Sequence, residues 1–155
     1  MLDVAKEREA AIELMATAEI LYLTTVDPSG YPYTRAIFNL RNRTEFSSLA
    51  GLFEQHRDDL LVYIGTNTSS HKIKQIQANP KAALYYCMPE SFHGLMLRGD
   101  IEIVRDPSIA RALWQEGWER YYPTGPTDPD YTVLKLAPTL ARGWHGGAKF
   151  EFEIG

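Results

Sequence analysis

Apolar positions along the chain follow two periods, and the switches between them mark out the elements. Val4, Ala11, Ile12 and Met15 share one helical face while Lys6, Glu7, Glu9 and Glu13 are polar, which predicts an amphipathic helix over residues 3–17. Strands are expected at 20–26 and 33–40, joined by the turn Asp27-Pro28-Ser29-Gly30. Residues 41–59 lack a clear period, with a short helix at Ser47–Gln55. The run Leu60–Ile64 opens a strand over 60–66, and Thr66-Asn67-Thr68-Ser69-Ser70 are turn and cap residues. A helix over 70–78 follows, stopped at Asn79-Pro80 because a residue before proline avoids the helical region. Strands 81–88 and 95–105 flank the turn Pro89–Gly94. Asp106 and Pro107 suit the N-cap and first position of a helix over 107–121, which would bury Ala110, Leu113, Trp114, Gly117, Trp118 and Tyr121 on one side. The three-proline stretch Tyr122–Pro129 reads as a loop, and the last strands fall at 131–137, 139–146 and 148–154.

This series has no regular alternation of strand and helix, so it argues for an antiparallel sheet or barrel with peripheral helices. The 155 residues carry no repeat or linker, and a single domain is expected over 1–155, with residues 1–18 as its N-terminal helix. The net charge of −4 and the absence of a basic run speak against nucleic acid. No apolar stretch approaches the ~20 residues of a membrane helix, and the charged N-terminus does not read as a signal peptide. One cysteine, Cys87, excludes an internal disulfide and reads as a small core residue; the cytoplasm is the expected compartment. His56 and His93 have no partners at metal-ligand spacing, so no metal site is expected.

The start of the 70–78 helix is the segment richest in chemistry. A helix N-terminus offers unpaired N–H groups and the positive end of the dipole, and here Ser69, Ser70 and Lys72 add hydroxyls and a charge. Two readings fit: a phosphate site, or a plain capped surface helix. Strand alternation puts Arg35 on one face with Ile37 and Asn39, opposite Thr34, Ala36, Phe38 and Leu40. Beside Ile37, Arg35 reads as an ordinary edge residue. Trp144 reads as a core tryptophan near a strand end. No serine–histidine–aspartate order, carboxylate pair or glycine-rich nucleotide fingerprint stands out.

Four segments in order, ILYLTTVDPSGYPYTRAIFNL (Ile20–Leu40), TNTSSHKIKQIQANPKAALYY (Thr66–Tyr86), LMLRGDIEIVRDP (Leu95–Pro107) and LKLAPTLARGWHG (Leu134–Gly146), resemble the pyridoxamine 5'-phosphate oxidase-like family of FMN-binding split barrels. The resemblance implies a mainly β fold, an antiparallel split β-barrel, and a homodimer with FMN in clefts at the subunit interface. It assigns the cofactor to Arg35, Ala36, Ile37, Gly65, Thr66, Ser70, His71, Lys72 and Trp144. It also brings departures. His71 stands where the family commonly has arginine, and is either a hydrogen-bond donor or a solvated first-turn residue. His145 replaces a glutamine. Leu40 stands where vitamin B6 oxidases have the lysine for the substrate phosphate. Their Ser-Arg-Pro and C-terminal Arg-Leu-His-Asp-Arg stretches are missing, and this chain ends FEFEIG. The departures imply the general-stress-protein branch: an FMN-dependent oxidoreductase of unassigned substrate, with NADH or NADPH as a candidate reductant. A non-catalytic flavin- or haem-binding protein, or a deazaflavin-dependent reductase, remains the alternative on the same fold.

Overall fold

The computed structural model describes residues 3–155. The N-terminal helix α1 spans Val4–Thr17, and the side chain of its N-cap Asp3 accepts from the Lys6 N–H at 3.1 Å. Its buried stripe is Glu7, Ala11, Leu14 and Met15, and Val4, expected inside, is 43% exposed. The face is rotated because Glu7 has a partner across the interface: its carboxylate lies 3.0 Å from Nδ1 of His145.

Eight strands form one antiparallel sheet: β1 (Ile20–Val26), β2 (Pro32–Phe38), β3 (Val62–Asn67), β4 (Lys81–Met88), β5 (His93–Val104), β6 (Tyr131–Leu136), β7 (Leu140–His145) and β8 (Ala148–Glu153). Their order is β2-β1-β4-β5-β6-β3, and β7 also pairs with the first half of β5 and with β8. The sheet curls into a split barrel, with β2 and β3 at its two ends and no ladder between them. Inward alternation sets the register. Leu21, Leu23, Leu84, Tyr86, Leu95 and Leu97 point into the first core, against Ile64 and Leu134 from the other end of the sheet. Each such side chain contributes about 1.5–3 kcal/mol by leaving water. Cys87, expected in this core, is half-buried instead, because alternation turns it to the face opposite Tyr86.

The helices lie outside the barrel. Helix α2 (Ala50–Glu54), preceded by a 3₁₀ turn at Ser47–Leu49, falls within the short helix expected at 47–55. Helix α3 (His71–Ala78) links β3 to β4. The helix expected over 107–121 is broken: α4 covers only Pro107–Leu113. Trp114 leaves the helical region at ψ 138°, and Gly117 adopts a φ of 92°, a conformation open to glycine, before a 3₁₀ turn at Trp118–Arg120. The break turns Trp118 and Tyr122 into a second core on the other side of β3 and β6, with Leu40, Phe53, Tyr63 and Tyr131. There the ring of Trp114 stands edge-on to Tyr131 at 5.2 Å and to Trp118 at 5.9 Å. No described helix is long and apolar enough to cross a membrane.

Candidate functional site

The turn after β3 is fixed from outside. Asp130, just before β6, accepts from the Ser69 N–H at 2.8 Å and from Asn67 Nδ2 at 2.7 Å. The Asn67 side chain first, then the Ser69 N–H, hold the Asp130 carboxyl below its usual range. Ser70 is thereby set as N-cap of α3, its hydroxyl accepting from the Lys72 N–H at 3.4 Å. The Lys72 side chain folds back over this turn and donates to Thr66 Oγ1 at 2.7 Å and Ser70 Oγ at 2.9 Å.

Arg35 approaches the same helix from β2. Its Nη1 donates to Thr25 Oγ1 at 2.8 Å and to the carbonyls of Tyr33 and Leu23 at 2.9 and 3.3 Å; Nη2 donates to Gln75 Oε1 on α3 at 3.3 Å. Burial lowers the pKa of both cations, and the Arg35 charge lowers that of Lys72 further. Neither has a carboxylate partner among the described residues, although Arg43, Arg57, Lys81, Lys135 and Arg142 each do. Two partly desolvated, mutually repelling cations, Lys72 in the first turn of α3 and Arg35 against Gln75 farther along it, are what a bound dianion would relieve.

The gap between β2 and β3 holds a cleft of about 320 Å³. Ala36 and Ile37 from β2, Gly65 and Thr66 from β3, and Lys72 line it, together with Leu40, Phe38, Trp118, Tyr121 and Tyr122. Its volume is at the lower end of the ~300–1,000 Å³ that small-molecule sites occupy. One end is cationic and rich in hydroxyls, and the rest is apolar and aromatic. That division suits a flat ligand carrying a phosphate, so the residues fit the FMN that the sequence resemblance implies. A Cβ on Gly65 would meet the Trp118 ring at 3.5 Å, an ordinary contact, so packing within the chain does not demand glycine here.

Of the residues expected from sequence, Ala36, Ile37, Gly65, Thr66 and Lys72 line this cleft, and Ser70 and Arg35 adjoin it through Lys72, Thr25 and Gln75. His71 is exposed and does not line it. Trp144, 47% exposed, lies elsewhere, in an open concavity with Arg142, Lys149 and Glu151, its ring 5.1 Å from the Lys149 ammonium. Sequence reasoning missed the aromatic wall of Trp118, Tyr121 and Tyr122, whose signal was the aromatic stretch on either side of Arg120. It also missed Thr25 and Gln75; the one available hint was that Gln75 stands three residues after Lys72, on the same helical face.

A family model described as pyridoxamine 5'-phosphate oxidase matches residues 7–145. Among solved structures, one from Clostridium acetobutylicum, a protein related to general stress protein 26 of B. subtilis (pyridoxinephosphate oxidase family), is 28% identical, with 96% of this chain and 95% of that chain covered and a TM-score of 0.75. A pyridoxamine 5'-phosphate oxidase-related, FMN binding protein from Nostoc punctiforme is 19% identical over 97% of this chain and 90% of its own, with a TM-score of 0.60. A heme binding protein from Mycobacterium smegmatis is 15% identical over 94% of this chain and 57% of its own, with a TM-score of 0.66. These last two likenesses concern the fold alone. No curated protein matches the sequence.

Proposed function

The chain belongs to the pyridoxamine 5'-phosphate oxidase family, and from that premise we propose that it binds FMN and acts as a flavin-dependent oxidoreductase in the cytoplasm, on a substrate other than a vitamin B6 phosphate. The observation that carries the reading is the pair Arg35 and Lys72, without a carboxylate partner among the described residues, Lys72 lining the cleft at the start of α3 and Arg35 held against the same helix at Gln75. In this reading the two cations, the Ser70 hydroxyl and the N–H groups of α3 hold the phosphate. Ala36, Ile37, Gly65 and Thr66 border the ring, and Trp118 and Tyr122 exclude water from it. FMN, when bound, supplies the electron transfer. NADH or NADPH is the proposed reductant.

Two features support the rest. Leu40 lines the cleft where a vitamin B6 oxidase would need a cation, and a leucine cannot pair with a substrate phosphate. The outer face of the sheet is apolar and uncovered: Tyr22 pairs with Ala36 and Tyr85, Tyr85 pairs with Met96, and both tyrosines are 41% exposed. We propose that a second copy of the chain covers it, as a homodimer, and that the partner brings its Trp144 to the cleft.

The deciding experiment is the absorption spectrum of the purified protein, followed by titration with FMN and riboflavin. Flavin bands and a preference for FMN of at least about tenfold are expected, from about 1.5–3 kcal/mol per charge-assisted bond to the phosphate. A Soret band, or equal affinity for the two flavins, would overturn the assignment. Light scattering should give a dimer at micromolar concentration, and a monomer would remove the partner's Trp144 from the site.

A further inference from the structure

We infer that Gln75 and Thr25 are positioning residues for the anion site, with Gln75 serving as a neutral acceptor that holds the Arg35 guanidinium beside α3 without neutralising it. The inference rests on the phosphate reading above and names how that site is kept selective. Gln75 Oε1 takes two donors at once: the Thr25 hydroxyl at 2.5 Å and Arg35 Nη2 at 3.3 Å. Thr25 is fully buried, and its hydroxyl in turn accepts from Arg35 Nη1 at 2.8 Å. The three side chains therefore form a closed triangle joining β1, β2 and α3. With the Tyr33 and Leu23 carbonyls added, the guanidinium is tied to both strands before any ligand arrives.

Every acceptor in this cradle is neutral, as it is for Arg41 under the Leu61 and His56 carbonyls, whereas Arg43, Arg57 and Arg142 are held by the carboxylates of Glu13, Glu9 and Glu151. A glutamate at position 75 would have nearly the shape of the glutamine and would bind Arg35 more strongly. Three residues along the same helix face from Lys72, it would also lie within reach of that ammonium. It would stabilise the unliganded protein and cancel the charge a phosphate needs. Glutamine thus keeps the geometry of an ion pair while leaving both positive charges for the ligand.

The test titrates unliganded wild type, Gln75→Glu, Thr25→Val and Thr25→Ser with FMN and with riboflavin, following quenching of flavin fluorescence, and records each melting temperature. Gln75→Glu should lower the FMN-to-riboflavin affinity ratio by about tenfold or more while riboflavin affinity stays within about twofold, and should raise the melting temperature of the unliganded protein. Thr25→Val should lower the same ratio, and Thr25→Ser, which keeps the hydroxyl, should retain it. An unchanged ratio in Gln75→Glu, or equal losses for both flavins, would overturn the inference while leaving a wild-type preference for FMN intact. A wild type with no preference would overturn the phosphate reading and this inference together.

Discussion

Lys72→Met separates binding from stability at one position. Methionine keeps most of the length of the side chain and removes its charge. In the unliganded protein the lysine donates to Thr66 Oγ1 and Ser70 Oγ, bonds worth about 0.5–1.5 kcal/mol each. Against that stand the burial of its ammonium and the repulsion from Arg35, both of which push its pKa down and so disfavour the charged form. These contributions oppose one another, and the net change in stability should stay within about 1 kcal/mol. The loss of one charge-assisted bond to a phosphate is uncompensated, so FMN affinity should fall by about 10–150-fold, which is 1.5–3 kcal/mol. Riboflavin, which has no phosphate, should bind as to wild type. The assay is urea denaturation of the unliganded variant beside titration with both flavins. A variant that keeps its FMN affinity would refute the argument. So would one destabilised by more than about 2 kcal/mol with equal losses for both ligands, since Lys72 would then be a structural residue.

The same lysine sets an alkaline limit: its pKa is below the ordinary 10.5, so the FMN-to-riboflavin ratio should fall as pH rises through that lowered value. Stability of the unliganded protein should move the other way over this window, rising with pH because the unfolded chain holds the proton longer, and pH-jump titration with parallel melts checks both. Gly143→Ala should destabilise the fold by about 2 kcal/mol or more in a denaturant melt, since a Cβ there would lie 1.9 Å from the Gly94 carbonyl oxygen on β5 and neither backbone can yield without opening the β5–β7 ladder. Pyridoxine 5'-phosphate should not be oxidised by the FMN-loaded protein; turnover to pyridoxal 5'-phosphate at about 1 per second or faster would show that Leu40 does not remove the substrate clamp.

What could be read from the sequence was what local rules control. The Ser70 cap, the stop at Asn79, the inward side of Arg35 and Ile37 and most strand positions follow from alternation and capping over a few residues. The split fold came from the four segments of family resemblance. Features settled across elements were not legible. Glu7 displaced Val4 from the α1 interface because His145, far along the chain, offers it a partner. The 107–121 helix kept its apolar spacing in sequence yet ended at Leu113, because the second core took Trp118 and Tyr122 at a geometry that a continuous helix does not give. Trp144 was expected to border the flavin, and within one chain its strand places it in a concavity away from this cleft.

The fold alone does not choose the ligand, since similar structures include an FMN binding protein and a heme binding protein. The choice falls to the side chains of the cleft. Haem iron needs an axial histidine, cysteine, methionine or tyrosine. No histidine, cysteine or methionine lines this cleft among the described residues. Tyr122 is packed against Trp114 and Tyr131, and burial, then Asp130 and Asp128, raise its pKa, so a phenolate there would be costly. Tyr121 is left, 47% exposed, with the Arg120 guanidinium 5.6 Å from its ring centre. Tyr121→Phe is therefore the discriminating variant. It removes one oxygen from an exposed position and should leave stability within about 0.5 kcal/mol and FMN affinity within a few-fold. Protein reconstituted with FMN should give the same flavin spectrum with and without the hydroxyl. A haem-loaded wild type whose Soret band shifts or disappears in Tyr121→Phe would show that the cleft serves iron, and that Arg35 and Lys72 receive propionates in place of a phosphate.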